Sequence, residues 1–256
     1  MQFHHHGYVS GDPRVKDAAG IGAERPADLP DEIDVLIVGT GPAGMTTAAQ
    51  LSQFPGITTR IVEKRAGRLA IGQADGIQAR SVETFQAFGF ADRITAEAYR
   101  ITEMAFWKPD PQDPSRIVRT ARTLDDAVGI SEFPHLIVNQ ARVLDYFAEF
   151  MADAPTRMRP DYGYEFRTLK VGEGEYPVEV TLVRTGGDGD GEERTVHAKY
   201  VVGSDGARSA VRDTIGCRPV GDRAFHAWGV MDVLAVTDFP DIRTKCAIQS
   251  GSGGSI

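Results

Sequence analysis

Cysteine is scarce in this 256-residue sequence: Cys217 and Cys246 are the only two. Two thiols can build neither a disulfide framework nor a four-thiolate zinc site. Basic charge is short as well. Lys and Arg number 28 against 36 Asp and Glu, for a net charge of −8. No cationic surplus is left to meet nucleic-acid phosphates or an anionic membrane surface, so neither is expected as a partner. No apolar run approaches the length of a membrane helix. The opening residues 1–6 have neither the basic nor the apolar stretch of a secretory signal. The expectation is a cytoplasmic globular protein. The length allows one or two domains, and 41% hydrophobic with 25% charged residues is ordinary for such a chain.

What is present begins with a change of texture. Residues 1–30 hold Gly, Pro, Asp and Ala without a sustained period and read as an arm. Residues 33–38 are short, β-branched and mostly apolar, as a strand buried on both faces should be. They run into Gly39-Thr40-Gly41-Pro42-Ala43-Gly44. Good helix formers follow over 45–53, and Phe54-Pro55-Gly56 stops them. Residues 58–63 read as a second strand, which completes a βαβ start. Helices are expected near 81–88 and over 142–151. Residues 162–171, 178–184 and 194–202 read as strands, with a glycine-rich hairpin loop before the last. The pattern suggests an α/β nucleotide-binding domain with inserted β structure.

Gly39-x-Gly41-x-x-Gly44 lies where a dinucleotide fingerprint needs it, after a strand and before a helix. Gly39 allows the tight turn, Gly41 lets backbone approach a pyrophosphate, and Gly44 permits close helix–strand packing. The helix N-terminus adds free N–H groups and the positive end of a dipole. Glu63 ends the second strand, 19 residues after Gly44, where an acid can bind ribose hydroxyls and disfavours an NADP 2′-phosphate. A glycine turn without a ligand is the bland alternative. A second motif, Gly203-Ser204-Asp205-Gly206-Ala207-Arg208-Ser209-Ala210-Val211-Arg212, again follows a strand. Taken alone, Asp205 there reads as a helix cap.

Read together, these segments resemble a known family. The second motif fits the pattern DGxxSxVR, about 160 residues after the first. Residues 72–76 (GQADG), 131–135 (SEFPH), 139–143 (NQARV), 228–232 (WGVMD) and 238–243 (DFPDIR) belong to the same set. So do the opening residues 1–4 and Gly7 with Gly11-Asp12-Pro13. The sequence is similar to the FAD-dependent class A aromatic hydroxylases, in the branch of phenol 2-monooxygenases and 3-hydroxybenzoate 4-monooxygenases. That resemblance implies a Rossmann-like FAD-binding domain of the GxGxxG type with an inserted antiparallel β substrate domain. The boundaries read from it are an arm at 1–30, the FAD-binding domain at 31–220 and the start of a substrate domain at 221–256. It further implies a longer parent enzyme, because the family's later Gly-Asp…His flavin motif and a substrate-binding Tyr would follow Ile256. Gly221-Asp222 with His226 is only a superficial match to that motif.

The resemblance also implies roles. Gly39, Gly41, Pro42, Ala43 and Gly44 would lie on the FAD pyrophosphate, with Glu63, Lys64 and Arg65 around the adenosine. Gly72, Gln73, Ala74, Asp75, Gly76 and Ile77 would wrap the flavin, Gln140 would touch its side, and Asp205 would hold the ribityl–pyrophosphate region. Asp75 would sit by both the flavin ring and the substrate phenol. His135 and Lys245 would be in or near the substrate pocket, and Lys245 could pair with a benzoate carboxylate. NADPH, or NADH, would reduce the flavin, and O2 would be captured as a C4a-hydroperoxide and transferred to a small phenolic substrate. The best-fitting reaction is 4-hydroxylation of 3-hydroxybenzoate, with phenol 2-monooxygenase as the alternative. A homodimer formed through regions outside this chain is a further expectation.

Two other readings stay open on the residues alone. An NAD-dependent dehydrogenase would keep alternating strands and helices, which the β-rich 157–202 stretch opposes. An inactive nucleotide-binding fragment is the other. Several features invite over-reading. His4-His5-His6 reads as solvated rather than metal-binding, and Asp125 with Asp126 as a solvated loop face. Trp107, Trp228 and the two cysteines read as packing. Ser131 and His135 lack the strand–elbow context of a hydrolase.

Overall fold

A computed structural model describes residues 2–4, 7–9, 25–70, 72, 74–187, 189–222, 225, 229–231 and 233–255. The chain divides into two compact units, 1–73 with 139–220, and 74–138 with 221–256. Residues 74–138, expected within a 31–220 domain, therefore group with 221–256.

In the first unit β1 (Gln2–His4) and β2 (Gly7–Val9) pair as an antiparallel hairpin. Next come β3 (Glu32–Val38), α1 (Pro42–Leu51) and β4 (Thr59–Glu63). The second unit opens with β5 (Gly76–Ile77), α2 (Ala79–Ala87), α3 (Ala91–Glu97) and β6 (Tyr99–Ile101). It continues with β7 (Glu103–Pro109), β8 (Ile117–Leu124) and β9 (His135–Ile137). The chain returns to the first unit with α4 (Gln140–Asp153), β10 (Asp161–Tyr162), β11 (Tyr164–Val171) and β12 (Val178–Arg184). Then follow β13 (Glu193–Gly203) and α5 (Ala210–Thr214), and β14 (Lys245–Ile248) closes the second unit.

The first unit is built on a six-stranded sheet in the order β10-β4-β3-β13-β12-β11. Its β10, β4, β3 and β13 are parallel, while β13, β12 and β11 form an antiparallel meander. Parallel strands are covered on both faces, which is why Ile33, Leu36 and Ile37 of β3 are fully buried. Each such side chain contributes about 1.5–3 kcal/mol by leaving water. One face packs Leu36, Val38 and Val62 with Phe166, Leu182, Val196 and Val211. Helices α1 and α4 pack on each other and α1 lies on β3 and β4. Helix α4 starts at Asn139, whose side-chain oxygen accepts the Ala141 N–H at 2.8 Å.

The second unit holds two three-stranded sheets, β14-β7-β8 and β5-β9-β6. The strands β7 and β8 were not among the expected elements; from the sequence, 106–114 reads as loop-like at its end because of its three prolines. In β14-β7-β8 the register sets Lys245 beside Met104 and Ile248 beside Trp107. In β5-β9-β6 the register sets Ile101 opposite His135 and Gly76 opposite Ile137.

Candidate functional site

The two glycine motifs, distant in sequence, meet because β13 lies beside β3. Gly203 pairs with Val38, and the Ser204 N–H donates to the Val38 carbonyl at 2.8 Å. Ligand sites of open α/β sheets lie at these carboxyl ends. A cleft there is lined by Gly39, Glu63, Lys64, Tyr164, Phe166, Asp205 and Arg208.

The three fingerprint glycines do different work. Gly39 has φ of +101°, and a Cβ there would stand 2.5 Å from the Ser204 carbonyl oxygen. A Cβ on Gly44 would stand 1.9 Å from the Gly39 carbonyl oxygen. Both positions are forced by the protein's own packing. Gly41 is the exception: a Cβ would meet nothing within 4 Å. It also precedes α1, whose N-terminus has no side-chain cap and no acid in its first turn. Pro42 and Ala43 there are exposed. Uncapped amides beside open space suit an anionic ligand.

Glu63 is buried beside this turn. Its Oε2 accepts from the Thr40 N–H at 3.1 Å, the Thr40 hydroxyl at 2.8 Å and Arg65 Nη2 at 3.1 Å. Its Oε1 accepts the Arg65 N–H at 3.1 Å. Burial opposes ionisation, but these hydrogen bonds and the Arg65 guanidinium outweigh it and hold the carboxyl below the usual glutamate range. Arg65 Nε is buried without a partner among the described residues. An unpaired buried donor here, together with the open space at Gly41, fits a phosphate-bearing group such as FAD. Thr40 and Arg208 were not singled out from the sequence. Thr40 is a variable position of the fingerprint, and only the fold shows that its hydroxyl meets Glu63.

Asp205 supports the start of α5 without being its cap: Ser209 is the N-cap, its hydroxyl oxygen accepting the Arg212 N–H at 3.0 Å. Asp205 Oδ1 accepts from the Ser209 hydroxyl at 2.5 Å and Oδ2 from the Val211 N–H at 3.1 Å. Gly72 and Gln140 are in close contact: a Cβ on Gly72 would lie 2.4 Å from that of Gln140. Gln73 lies outside the described residues, as do His5, His6, Trp228 and His226.

In the second unit the Asp75 carbonyl accepts the Val138 N–H at 2.9 Å, while its half-buried carboxylate has no partner among the described residues. Ala74 and Gly76 are exposed and Ile77 is half-buried. His135 and Lys245 are brought together, through a residue read from sequence as solvated. Asp125 Oδ2 meets His135 Nδ1 at 2.7 Å, and Oδ1 accepts from Lys245 Nζ at 2.6 Å. The Asp125 side chain is only 4% exposed. This corrects the solvated reading, and it means the Lys245 ammonium already has an anionic partner. Lys245 also edges an apolar hollow of about 410 Å³ with Tyr99, Ile101, Ile137 and Ile242.

Trp107 is a packing residue as expected: it lies against Phe239, with ring centroids 4.9 Å apart, and donates to Asp241 at 2.9 Å. Cys217 is instead exposed, while Cys246 is half-buried. Ser131 donates to Glu83 at 2.7 Å. No helix among the described residues is long and apolar enough to cross a membrane.

The chain belongs to the family described as FAD binding domain, whose pattern matches residues 32–254. It is 52% identical over 255 residues to a 3-hydroxybenzoate 4-monooxygenase of Comamonas testosteroni, covering 99% of this chain and 40% of that relative. A phenol 2-monooxygenase of Aspergillus fumigatus is 30% identical over 225 residues, covering 87% and 36%. Among solved structures, the flavin-dependent monooxygenase PieE, in complex with FAD and substrate, superposes with a TM-score of 0.59. That match has 27% identity and covers 73% of this chain and 33% of PieE. The chain thus spans about 40% of the length of the curated relatives it matches.

Proposed function

We propose that this chain carries the FAD site of an NAD(P)H-consuming monooxygenase that hydroxylates a phenolic ring, with 3-hydroxybenzoate converted at C4 as the leading reaction. The observation that carries the reading is the open backbone at Gly41, at an uncapped helix start beside Glu63 and Arg65. The extent and degree of similarity to the Comamonas relative support the substrate class.

When bound, FAD supplies O2 activation and delivery of one oxygen atom to the ring, with NADPH or NADH as electron source. The chain's own residues bind and orient. The backbone amides of Gly41 and Ala43, at the uncapped start of α1, would hold the pyrophosphate, together with Gly39, Pro42 and Gly44. Glu63 Oε1 accepts one protein hydrogen bond and keeps a lone pair for a ribose hydroxyl, and Lys64 and Arg65 flank the adenosine. By the family resemblance, Gly72 with Gln140 and, in the second unit, Ala74, Gly76 and Ile77 would contribute to holding the flavin ring, and Asp205 the ribityl side. Asp75 accepts or orients the phenolic proton, because a phenolate is the better carbon nucleophile. His135 and Lys245 border the substrate. Since Asp125 partly neutralises Lys245, phenol remains a second reading; product analysis with 3-hydroxybenzoate against phenol separates them.

The test is the visible spectrum of the protein after incubation with FAD and desalting. Wild type is expected to retain flavin bands. Gly41→Ala is expected to lose them while keeping its unfolding midpoint, since the added methyl meets no protein atom. Equal retention in both proteins would defeat the assignment of Gly41, and no retention in wild type would favour a chain inactive by itself. In the full enzyme, Asp75→Ala is expected to keep FAD but lower product formed per NADPH by about 10²-fold or more. Unchanged coupling would remove Asp75 from the reaction.

A further inference from the structure

The Asp125–His135–Lys245 cluster imposes a constraint that the roles above do not use. Asp125 follows β8, His135 begins β9 and Lys245 begins β14. Asp125 and His135 side chains are 4% and 6% exposed, and Lys245 is 35% exposed. The carboxylate divides its oxygens, Oδ1 to the ammonium and Oδ2 to the imidazole. Burial opposes ionisation of Asp125, but Lys245 and His135 outweigh it and hold its carboxyl below the usual range. An ionised carboxylate only accepts hydrogen bonds, so Nδ1 must be the protonated nitrogen. In neutral His135 the lone pair then falls on Nε2. That atom lies 3.4 Å from where a Cβ on Gly76 would stand, and among the described residues no donor is bonded to it.

We propose that Asp125 is a positioning residue. It locks His135 in the Nδ1–H tautomer while anchoring Lys245, so that Nε2 is held unprotonated beside Gly76, an alternative acceptor to Asp75 for the single proton of a phenolic hydroxyl. The identity of that donor rests on the aromatic-substrate reading; the tautomer does not.

The tautomer is read from long-range proton–nitrogen spectra of the imidazole rings in the 256-residue protein, well above the ordinary imidazole pKa, with no flavin or substrate added. Wild type is expected to show a protonated Nδ1 and an unprotonated Nε2. Asp125→Asn is expected to invert this. The Lys245 ammonium, a donor only, keeps the amide oxygen, so the amide NH2 faces Nδ1 and forces it to accept. Asp125→Asn combined with Lys245→Met frees the oxygen to face His135 and is expected to restore Nδ1–H. A residue that merely supports the fold would not give inversion followed by rescue. Should Asp125→Asn fail to fold, wild type and Lys245→Met alone still decide, because both must show Nδ1–H. A wild-type Nε2–H tautomer, or an unchanged tautomer in folded Asp125→Asn, overturns the proposal. Addition of 3-hydroxybenzoate to the FAD-loaded full enzyme is then expected to shift Nε2. A correct tautomer with no such shift counts against the substrate reading and leaves the lock standing.

Discussion

Glu63 in the first unit and Asp125 in the second have side chains 9% and 4% exposed, and they are held in different ways. Glu63 is satisfied locally, by Thr40 in the turn after β3 and by Arg65 two residues on. Asp125 is satisfied by one group ten residues away and another 120 residues away, on β14. Both carboxyls end below their usual range for the same physical reason, donors and cations that outweigh burial. The difference lies in what must fold first. A βαβ turn positions its acid almost by itself, whereas the second acid, with His135 nearby, lacks its cation until a strand 120 residues on is in place.

The sharpest way to break the first arrangement is Gly44→Ala. The new Cβ would sit 1.9 Å from the Gly39 carbonyl oxygen, and both atoms belong to backbone that cannot turn aside. A loss of about 3 kcal/mol or more is expected, measured by denaturant unfolding. A loss below about 1 kcal/mol would mean that α1 and β3 are not held as tightly as described. Set against Gly41→Ala, expected to leave stability within about 0.5 kcal/mol, it divides one short motif into a packing glycine and a ligand glycine.

That motif explains how much was legible beforehand. β3, α1, β4, β12 and β13 follow from local pattern: an apolar strand, a glycine turn, a helix with a Pro-Gly stop, then alternating strands. β7 and β8 did not. Pro109 ends one and prolines crowd the turn after it, while β8 is exposed along nearly its whole length and its apolar residues Ile117, Val118, Ala121 and Leu124 do not alternate, so no strand period announces it. Gly39 and Gly44 were readable because backbone geometry demands them, and Gly41 because the fingerprint spacing places it. Asp125 was not, because a polar residue beside Asp126 looks solvated until β14 brings Lys245 to it. The first unit has such a case too. Arg60 and Asp161 form a buried bidentate pair at 2.7 and 2.8 Å, 101 residues apart, that no local pattern signals. Legibility follows the range of the contact, not the unit that holds it.

A medium-sized effect tests that last point. Asp161→Asn leaves Arg60 and Arg25 facing a neutral amide in a site only 7% exposed at the acid. A cost of about 3 kcal/mol is expected. A near-neutral result would show that Pro26 and Asp28 carbonyls, which also accept from Arg60, suffice to hold the charge.

The smallest effect compares the two acids directly, through pH. A carboxyl whose pKa is depressed by folding stabilises the native state above its unfolded pKa. That contribution disappears as pH falls through the folded pKa, where the native form must take up the proton. Stability should therefore be level above about pH 5 and decline below it, each acid contributing at most about 1.4 kcal/mol per pH unit. The declines start at different points, because the ordinary values are 4.5 for glutamate and 3.8 for aspartate. Glu63→Gln should flatten the first part of the curve, just below pH 4.5, and Asp125→Asn only the more acid part. Amide exchange followed separately in α1 and in β9 would assign each part to its unit. If Asp125→Asn steepened the decline in the earlier window instead, burial would be outweighing the Lys245 and His135 contacts, and the two acids would no longer be comparable.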